Sequence, residues 1–113
     1  MATPFAYVSY QDSLNEAEKR ALLAEVSGYD VSAQEPSLQR VNISDLISTQ
    51  LQVFKQGVLE KLQSPASASN PIQVARIAGK NYIWDGHHRA TAEKLKGSKD
   101  IWASVIDMDK EED

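Results

Sequence analysis

Cysteine is absent from the 113-residue chain. That excludes a disulfide framework, thiolate metal sites and a cysteine nucleophile, and accords with a reducing compartment. With only two histidines beside that absence, a structural zinc site is not expected. No apolar run approaches the roughly 18 to 20 residues needed to cross a bilayer, and Met1 to Tyr10 lacks the basic start and long apolar stretch of a signal peptide. No membrane partner is expected, and cytoplasmic residence is the default. Low-complexity composition is missing too: hydrophobic residues make up 42% and charged residues 25%, the usage of an ordinary globular protein. The length suits one compact core.

Positive charge is also in short supply overall, with 12 Lys+Arg against 16 Asp+Glu, a net −4 that taken alone argues against polyanionic partners. Its distribution changes that reading. The stretch Asp107 to Asp113 holds five acids and one lysine, so Met1 to Ile106 is balanced at 11 basic and 11 acidic residues. Within that neutral body, Arg76 to Lys99 carries six basic residues (Arg76, Lys80, Arg89, Lys94, Lys96, Lys99) against Asp85 and Glu93. A compact anion is favoured there over long duplex DNA, which rewards many cationic contacts.

What is present reads as an α+β domain. Ser13-Leu14-Asn15-Glu16 has the form of a capping box, predicting a helix from Ser13 to about Val26 with an apolar stripe of Leu14, Ala17, Ala21 and Ala24, widened by Leu22, Leu23 and Val26. Gly28 suits its C-terminal cap. Pro4 to Tyr10 reads as an arm or short strand, and Tyr29 to Gln39, with Pro36, as a connection. Arg40 to Ile43 suits a short strand, Ser44-Asp45 a brief helical turn through Ile47, and Gln50 to Gln63 a helix with Leu51, Phe54, Val58 and Leu62 on one face. Gly57 weakens that helix by about 1 kcal/mol relative to Ala. After a breaker-rich loop from Ser64 to Pro71, period-two alternation from Ile72 to Ile77, a turn at Ala78-Gly79-Lys80-Asn81 and a return strand to Asp85 predict a β-hairpin. A helix from about His87 to Lys96, ended by Gly97, and a β-branched strand from Ile101 to Ile106 follow. The result is a small mixed sheet flanked by helices. Residues 1–38 form an N-terminal extension with one accessory helix, 39–107 the body, and 108–113 an acidic tail; Asp107 to Asp113 is expected to fray.

The chemistry concentrates in Asp85-Gly86-His87-His88-Arg89, where a strand hands over to a helix through a glycine. Free amides and partial positive charge at a helix start attract anions, Gly86 permits an unusual backbone angle, and Arg89 can grip a phosphate with two parallel hydrogen bonds. His87 and His88 offer donors or a proton shuttle. Asp85 is a candidate for orienting a histidine or a Mg²⁺-bound water.

This run, preceded by Asn70-Pro71-Ile72-Gln73-Val74 and by Asp45-Leu46-Ile47-Ser48-Thr49-Gln50, resembles the ParB/sulfiredoxin superfamily, most closely its small ParB-like nuclease branch. The resemblance covers about residues 40–107. It implies a ParB/sulfiredoxin-like domain in which the turn binds nucleotide phosphates, making Gly86, His88, Arg89, Thr49 and Gln50 candidate contacts for ATP or another nucleotide, with Mg²⁺ at Asp85. Asp85, His87 and His88 become the candidate catalytic groups. Sulfiredoxins carry a Gly-Cys-His-Arg run; here His87 takes the cysteine's place, so sulfiredoxin activity is excluded. The chromosome-partitioning ParB proteins carry Gly-Glu-Arg-Arg, of which only Gly86 and Arg89 match, and no helix-turn-helix segment follows in these 113 residues, so centromere binding is not expected. Free-serine kinases and nucleases also belong to the superfamily, leaving phosphoryl transfer, nucleoside triphosphate hydrolysis and metal-dependent phosphodiester cleavage open. Nucleic acid is then a second candidate partner. A third reading is a non-catalytic adaptor of a phage or mobile element, meeting a protein partner through the N-terminal helix.

Each residue also has a plainer reading. Asp-Gly is a common turn pair and Asp a common cap. Adjacent histidines cannot both face one ion on regular structure, and one can be a packed histidine bonded to backbone. Arg89 can pair with Glu93 one turn on. Thr49 suits a helix start, Trp84 and Trp102 a core or sheet face, and Asp45 and Glu60 are the only further carboxylates in the pattern that a nuclease could recruit.

Overall fold

A computed structural model describes residues 1–26, 35–64 and 67–109. In chain order these form strand β1 (Ala6–Tyr7), helix α1 (Tyr10–Val26), strand β2 (Ser37–Asn42), a 3₁₀ turn (Ile43–Asp45) and strand β3 (Leu46–Ser48). Helix α2 (Lys55–Gln63), strands β4 (Ile72–Ile77) and β5 (Lys80–Asp85), helix α3 (His87–Leu95) and strand β6 (Asp100–Asp107) complete the architecture. The six strands make one mixed sheet in the order β1-β3-β5-β4-β6-β2. Strand β3 runs parallel to both β1 and β5, and β4 is parallel to β6, while the β4–β5 hairpin and the β2–β6 pair are antiparallel.

The alternation along β4 assigns its side chains to two cores. Ile72 and Val74 join Val41, Leu46, Ile83, Ile101, Ala103 and Val105 on one face, where Ala90 of α3 packs down. Ala75 and Ile77 face the other way, with Tyr82, and are covered by Ala17 of α1. Both faces of the central strands are therefore buried, as expected for strands flanked by helices on each side. Helix α2 lies against α3 rather than the sheet, through Val58, Leu62, Val53 and Ala92.

Several local expectations are corrected. Helix α1 begins three residues early because Ser9, not Ser13, caps it: the Ser9 hydroxyl accepts from the Asp12 amide at 3.1 Å. Ser13 is fully buried inside the helix and its hydroxyl donates to the Tyr10 carbonyl at 2.8 Å. The apolar stripe of α1 is only half used, since Ala17 is buried while Leu22, Leu23 and Val26 are exposed. Gly28 and residues 29–34 of the expected connection lie outside the described residues; Ser37 to Gln39 already belong to β2. The brief helical turn is capped by Asn42, whose side chain accepts from the Ser44 amide, and ends at Asp45, so Leu46 and Ile47 are strand. Helix α2 starts at Lys55 instead of Gln50, because residues 49–54 form an extended loop bonded to the amino-terminal segment; the Val53 amide donates to the Met1 carbonyl at 2.8 Å and the Thr3 amide to the Leu51 carbonyl at 3.3 Å.

The hairpin turn is tighter than expected, with only Ala78 (φ 53°) and Gly79 (φ 74°) between the strands. Two consecutive positive φ values match the right-handed strand twist. Asp109 supports them, its carboxylate accepting from the Ala78 amide at 2.7 Å and the Gly79 amide at 2.6 Å. The start of the stretch expected to fray is thus anchored: Asp107 ends β6 beside Arg76, and Asp109 also pairs with Arg20 of α1 at 3.7 Å, while residues 110–113 lie outside the described residues.

Candidate functional site

Strand β5 and helix α3 meet at a backbone turn held by packing. A bulge in the β4–β5 ladder, where Gln73 faces Asp85 but Val74 faces Ile83, leaves Trp84 as the extra residue and twists the strand end away from the sheet. Gly86 then takes φ 102°, a backbone region that L side chains rarely enter. A Cβ there would come within 2.6 Å of the Ile72 Cγ2. Glycine is needed at this position for the backbone angle and for the contact with β4.

Gly86 caps α3 with its backbone alone; its carbonyl accepts from the Ala90 amide at 2.8 Å, and no side chain bonds to the first turn. The amides of His87, His88 and Arg89, which have no partner within a helix, face an open cavity of about 360 Å³ lined by Gln50, Lys61, Asp85, His87, His88 and Arg89. Sequence reasoning singled out all of these except Lys61. Lys61 lies one turn beyond Gly57 on the same face of α2, so the signal was there: the smallest side chain of the helix marks the point where another element crosses closely.

That element is His88. A Cβ on Gly57 would fall 2.5 Å from the His88 Cδ2. The imidazole stacks on Phe54 with an interplanar angle of 7° and its Nε2 accepts from the Phe54 amide at 3.0 Å. His87 does the same at the other end of the loop. It is 6% exposed, and its Nε2 accepts from the Thr49 amide at 3.2 Å. The Thr49 hydroxyl donates to the Ile83 carbonyl at 2.6 Å, so Thr49 is buried and used in holding the loop; it does not line the cavity. Both rings accept at Nε2, which assigns each neutral ring its proton at Nδ1. Burial holds the His87 pKa below the ordinary histidine value, against the opposing pull of Asp85 and reinforced by His88. The two histidines therefore hold the 49–54 loop at both ends, and neither Nε2 is free to act as a base.

Arg89 differs from its neighbours. Its expected alternative partner Glu93 is taken, accepting from Ser98 Oγ at 2.7 Å and Lys96 Nζ at 3.2 Å. The Arg89 Nε is buried and has no hydrogen-bond partner among the described residues. Half of the basic segment is spent internally: Arg76 is bonded to Asn81, Asp107 and Gln39, Lys96 to Glu93, and Lys94 lies over the Phe5 ring. Arg89 and Lys61 are the cations at the cavity. Gln50 lines it too, its side-chain amide donating to the Gln52 carbonyl.

Asp85 is exposed at the rim. Among the described residues no group of three or more His, Asp or Glu side chains is placed to hold a metal ion, and Asp45 and Glu60 are exposed and do not line the cavity. Trp84 packs in the α1-side core, edge-on to Tyr10 at 6.4 Å, and Trp102 lies under the Arg40 guanidinium on the sheet surface. No helix among the described residues is long and apolar enough to cross a membrane.

In sequence, no family model matches the chain, and no curated protein matches it either. In structure, it is similar to sulfiredoxin from Arabidopsis thaliana, with a TM-score of 0.52 and 20% identity over 62% of this chain and 84% of that one. It is also similar to a conserved hypothetical protein from Pyrococcus furiosus, with a TM-score of 0.53 and 19% identity over 68% of this chain; the match spans only 35% of that protein. The fold expected from the sequence is thus the fold found, a mixed sheet with three helices in a sulfiredoxin-like arrangement.

Proposed function

We propose that the cavity at the start of α3 binds the phosphate groups of a nucleotide. The observation that carries this reading is the Arg89 guanidinium, whose buried Nε has no partner within the described chain, set beside the uncapped amides of His87, His88 and Arg89. A buried donor left unpaired costs about 1 to 3 kcal/mol, and a phosphate oxygen supplies the missing acceptor. Lys61 adds a second cation from the opposite wall. Asp85 at the rim suits a Mg²⁺ ion that takes one carboxylate and completes its shell with phosphate oxygens and water.

Phosphoryl transfer or nucleoside triphosphate hydrolysis would place its charge stabilisation on Arg89, Lys61 and the helix amides. The histidines would contribute as donors through Nδ1, since each Nε2 already accepts from a backbone amide. Metal-dependent cleavage of nucleic acid draws less support, because among the described residues Asp85 is the only carboxylate lining the cavity.

The test is a thermal-shift series with ATP, ADP, CTP, GTP and inorganic phosphate, with and without Mg²⁺. At 100 times its dissociation constant a ligand stabilises by about 2.7 kcal/mol, which for a domain of this size raises Tm by roughly 10 °C. Arg89→Ala should abolish the rise. A wild type that no nucleotide stabilises, or an Arg89→Ala variant that responds fully, overturns the reading.

A further inference from the structure

Beside the α3 cavity stands the most exposed aromatic ring among the described residues. Phe54, the residue before α2, is 78% exposed. Its backbone is tied down at both ends, because its amide donates to the His88 Nε2 at 3.0 Å and its carbonyl accepts from the Val58 amide at 3.1 Å. The His88 ring in turn lies against Gly57, where an added Cβ would come within 2.5 Å of it. The two rings are parallel to within 7° with centroids 6.1 Å apart. In such an offset arrangement each ring lengthens the aromatic surface of the other.

An exposed ring alone is ordinary on a protein surface. Phe54 is set apart by its neighbour, since His88 lines the cavity that Arg89 and Lys61 also line. From the α3 amides to the phenyl ring is one histidine side chain and one ring-to-ring step, comparable with the span from a nucleotide's phosphates across its ribose to its base. Close to the ring, the Phe54 amide and the Gln50 side-chain amide are already bonded within the chain. What the ring offers a base is therefore chiefly its π-face.

We infer that the exposed face of Phe54 is the platform for the base of a purine nucleotide whose phosphates occupy the α3 cavity. This rests on the phosphate reading above and adds to it the class of base. Stacking tolerates any base, because every base has a π-face. It grows with the area covered, so the fused rings of a purine gain more than a pyrimidine does. Adenine and guanine bind alike, since telling them apart requires hydrogen bonds to their edges. A ring fixed before the ligand arrives also lowers the ordering cost of binding.

The experiment is isothermal titration calorimetry of the full chain with ATP, GTP, CTP and ribose 5-triphosphate, which lacks a base, all with Mg²⁺. ATP and GTP should bind with similar affinity and roughly tenfold more tightly than ribose 5-triphosphate, with CTP in between. Phe54→Ala should bring ATP and GTP down to the level of ribose 5-triphosphate and leave that ligand's own affinity unchanged, whereas Phe54→Tyr should keep the purine advantage. Arg89→Ala should weaken all four ligands. Equal binding of ATP and ribose 5-triphosphate, equal binding of ATP and CTP, a purine advantage that survives Phe54→Ala, or a Phe54→Ala variant that weakens all four ligands equally each overturns the inference while leaving the phosphate reading standing. A wild type that binds none of the four overturns both.

Discussion

The two faces of the sheet treat their buried polar groups differently. On the α3 side nearly every such group is committed within the chain: His87 to Thr49, Thr49 to Ile83, His88 to Phe54 and Glu93 to Ser98 and Lys96. Two are not, Thr91 Oγ1 inside α3 and Arg89 Nε, and of these Arg89 is the one at the mouth of a cavity. On the α1 side the contacts are mostly apolar, and the buried group without a partner among the described residues is the Trp84 indole Nε1. The first face presents cations at its cavity; the second carries charges of both signs along α1 and the hairpin. A polar group becomes informative about ligands when its neighbours have already been satisfied.

The largest expected effect breaks the α3 face at its hinge. Gly86→Ala forces a side chain into φ 102° and into contact with Ile72, and strain plus overpacking should remove about 3 kcal/mol of stability in urea denaturation. A change under about 1 kcal/mol would show that the turn relaxes.

The next effect is of intermediate size and comes from pH. His87 is held neutral when folded, so its folded pKa lies below the unfolded value near 6.5. Its contribution is intact above pH 6.5; as pH falls below that, the unfolded chain gains a proton that the folded chain resists, and stability is lost. The slope approaches at most about 1.4 kcal/mol per pH unit, and His87→Gln should flatten it between pH 7 and 5. An unchanged slope in the variant would show that His87 is not the residue titrating.

The smallest effect sharpens the α1 side. Ala78 sits at φ 53° in the hairpin turn, a region where Asn is better tolerated than Ala. Ala78→Asn should gain about 0.5 to 1 kcal/mol in the same urea experiment while leaving the α3 cavity untouched. Loss of stability would mean that the Asp109 carboxylate needs the alanine's small size to reach the two turn amides.

The hairpin, the strand-to-helix turn and the mixed sheet were legible in the sequence because each rests on local chemistry: alternation from Ile72 to Ile77, a glycine where φ is positive, β-branched residues in β6. The start of α2 was not, since residues 49–54 have helical spacing but are pulled into an extended path by bonds to Met1 and Thr3, some 50 positions away. Ser13 misled for a related reason: its pattern was a sound cap signal, but Ser9 supplied the same cap one turn earlier. At the site, Arg89 and Asp85 were visible as motif residues. The structural use of both histidines and the approach of Lys61 depend on how α2 crosses α3, which no spacing within the motif encodes.

The paired grip of His87 and His88 on residues 49–54 has a consequence for how this chain can drift. Thr49 and Phe54 are bound to neighbouring residues of one turn, so the number of residues between them is fixed, while of the four only Leu51 and Gln52 are exposed and loosely constrained in identity, Val53 being buried against α3 and Gln50 lining the cavity. A single insertion there would force one ring to release its amide, whereas substitutions at the two exposed positions should pass almost unnoticed. At the tip of this stretch, length is the constrained quantity and composition the expendable one.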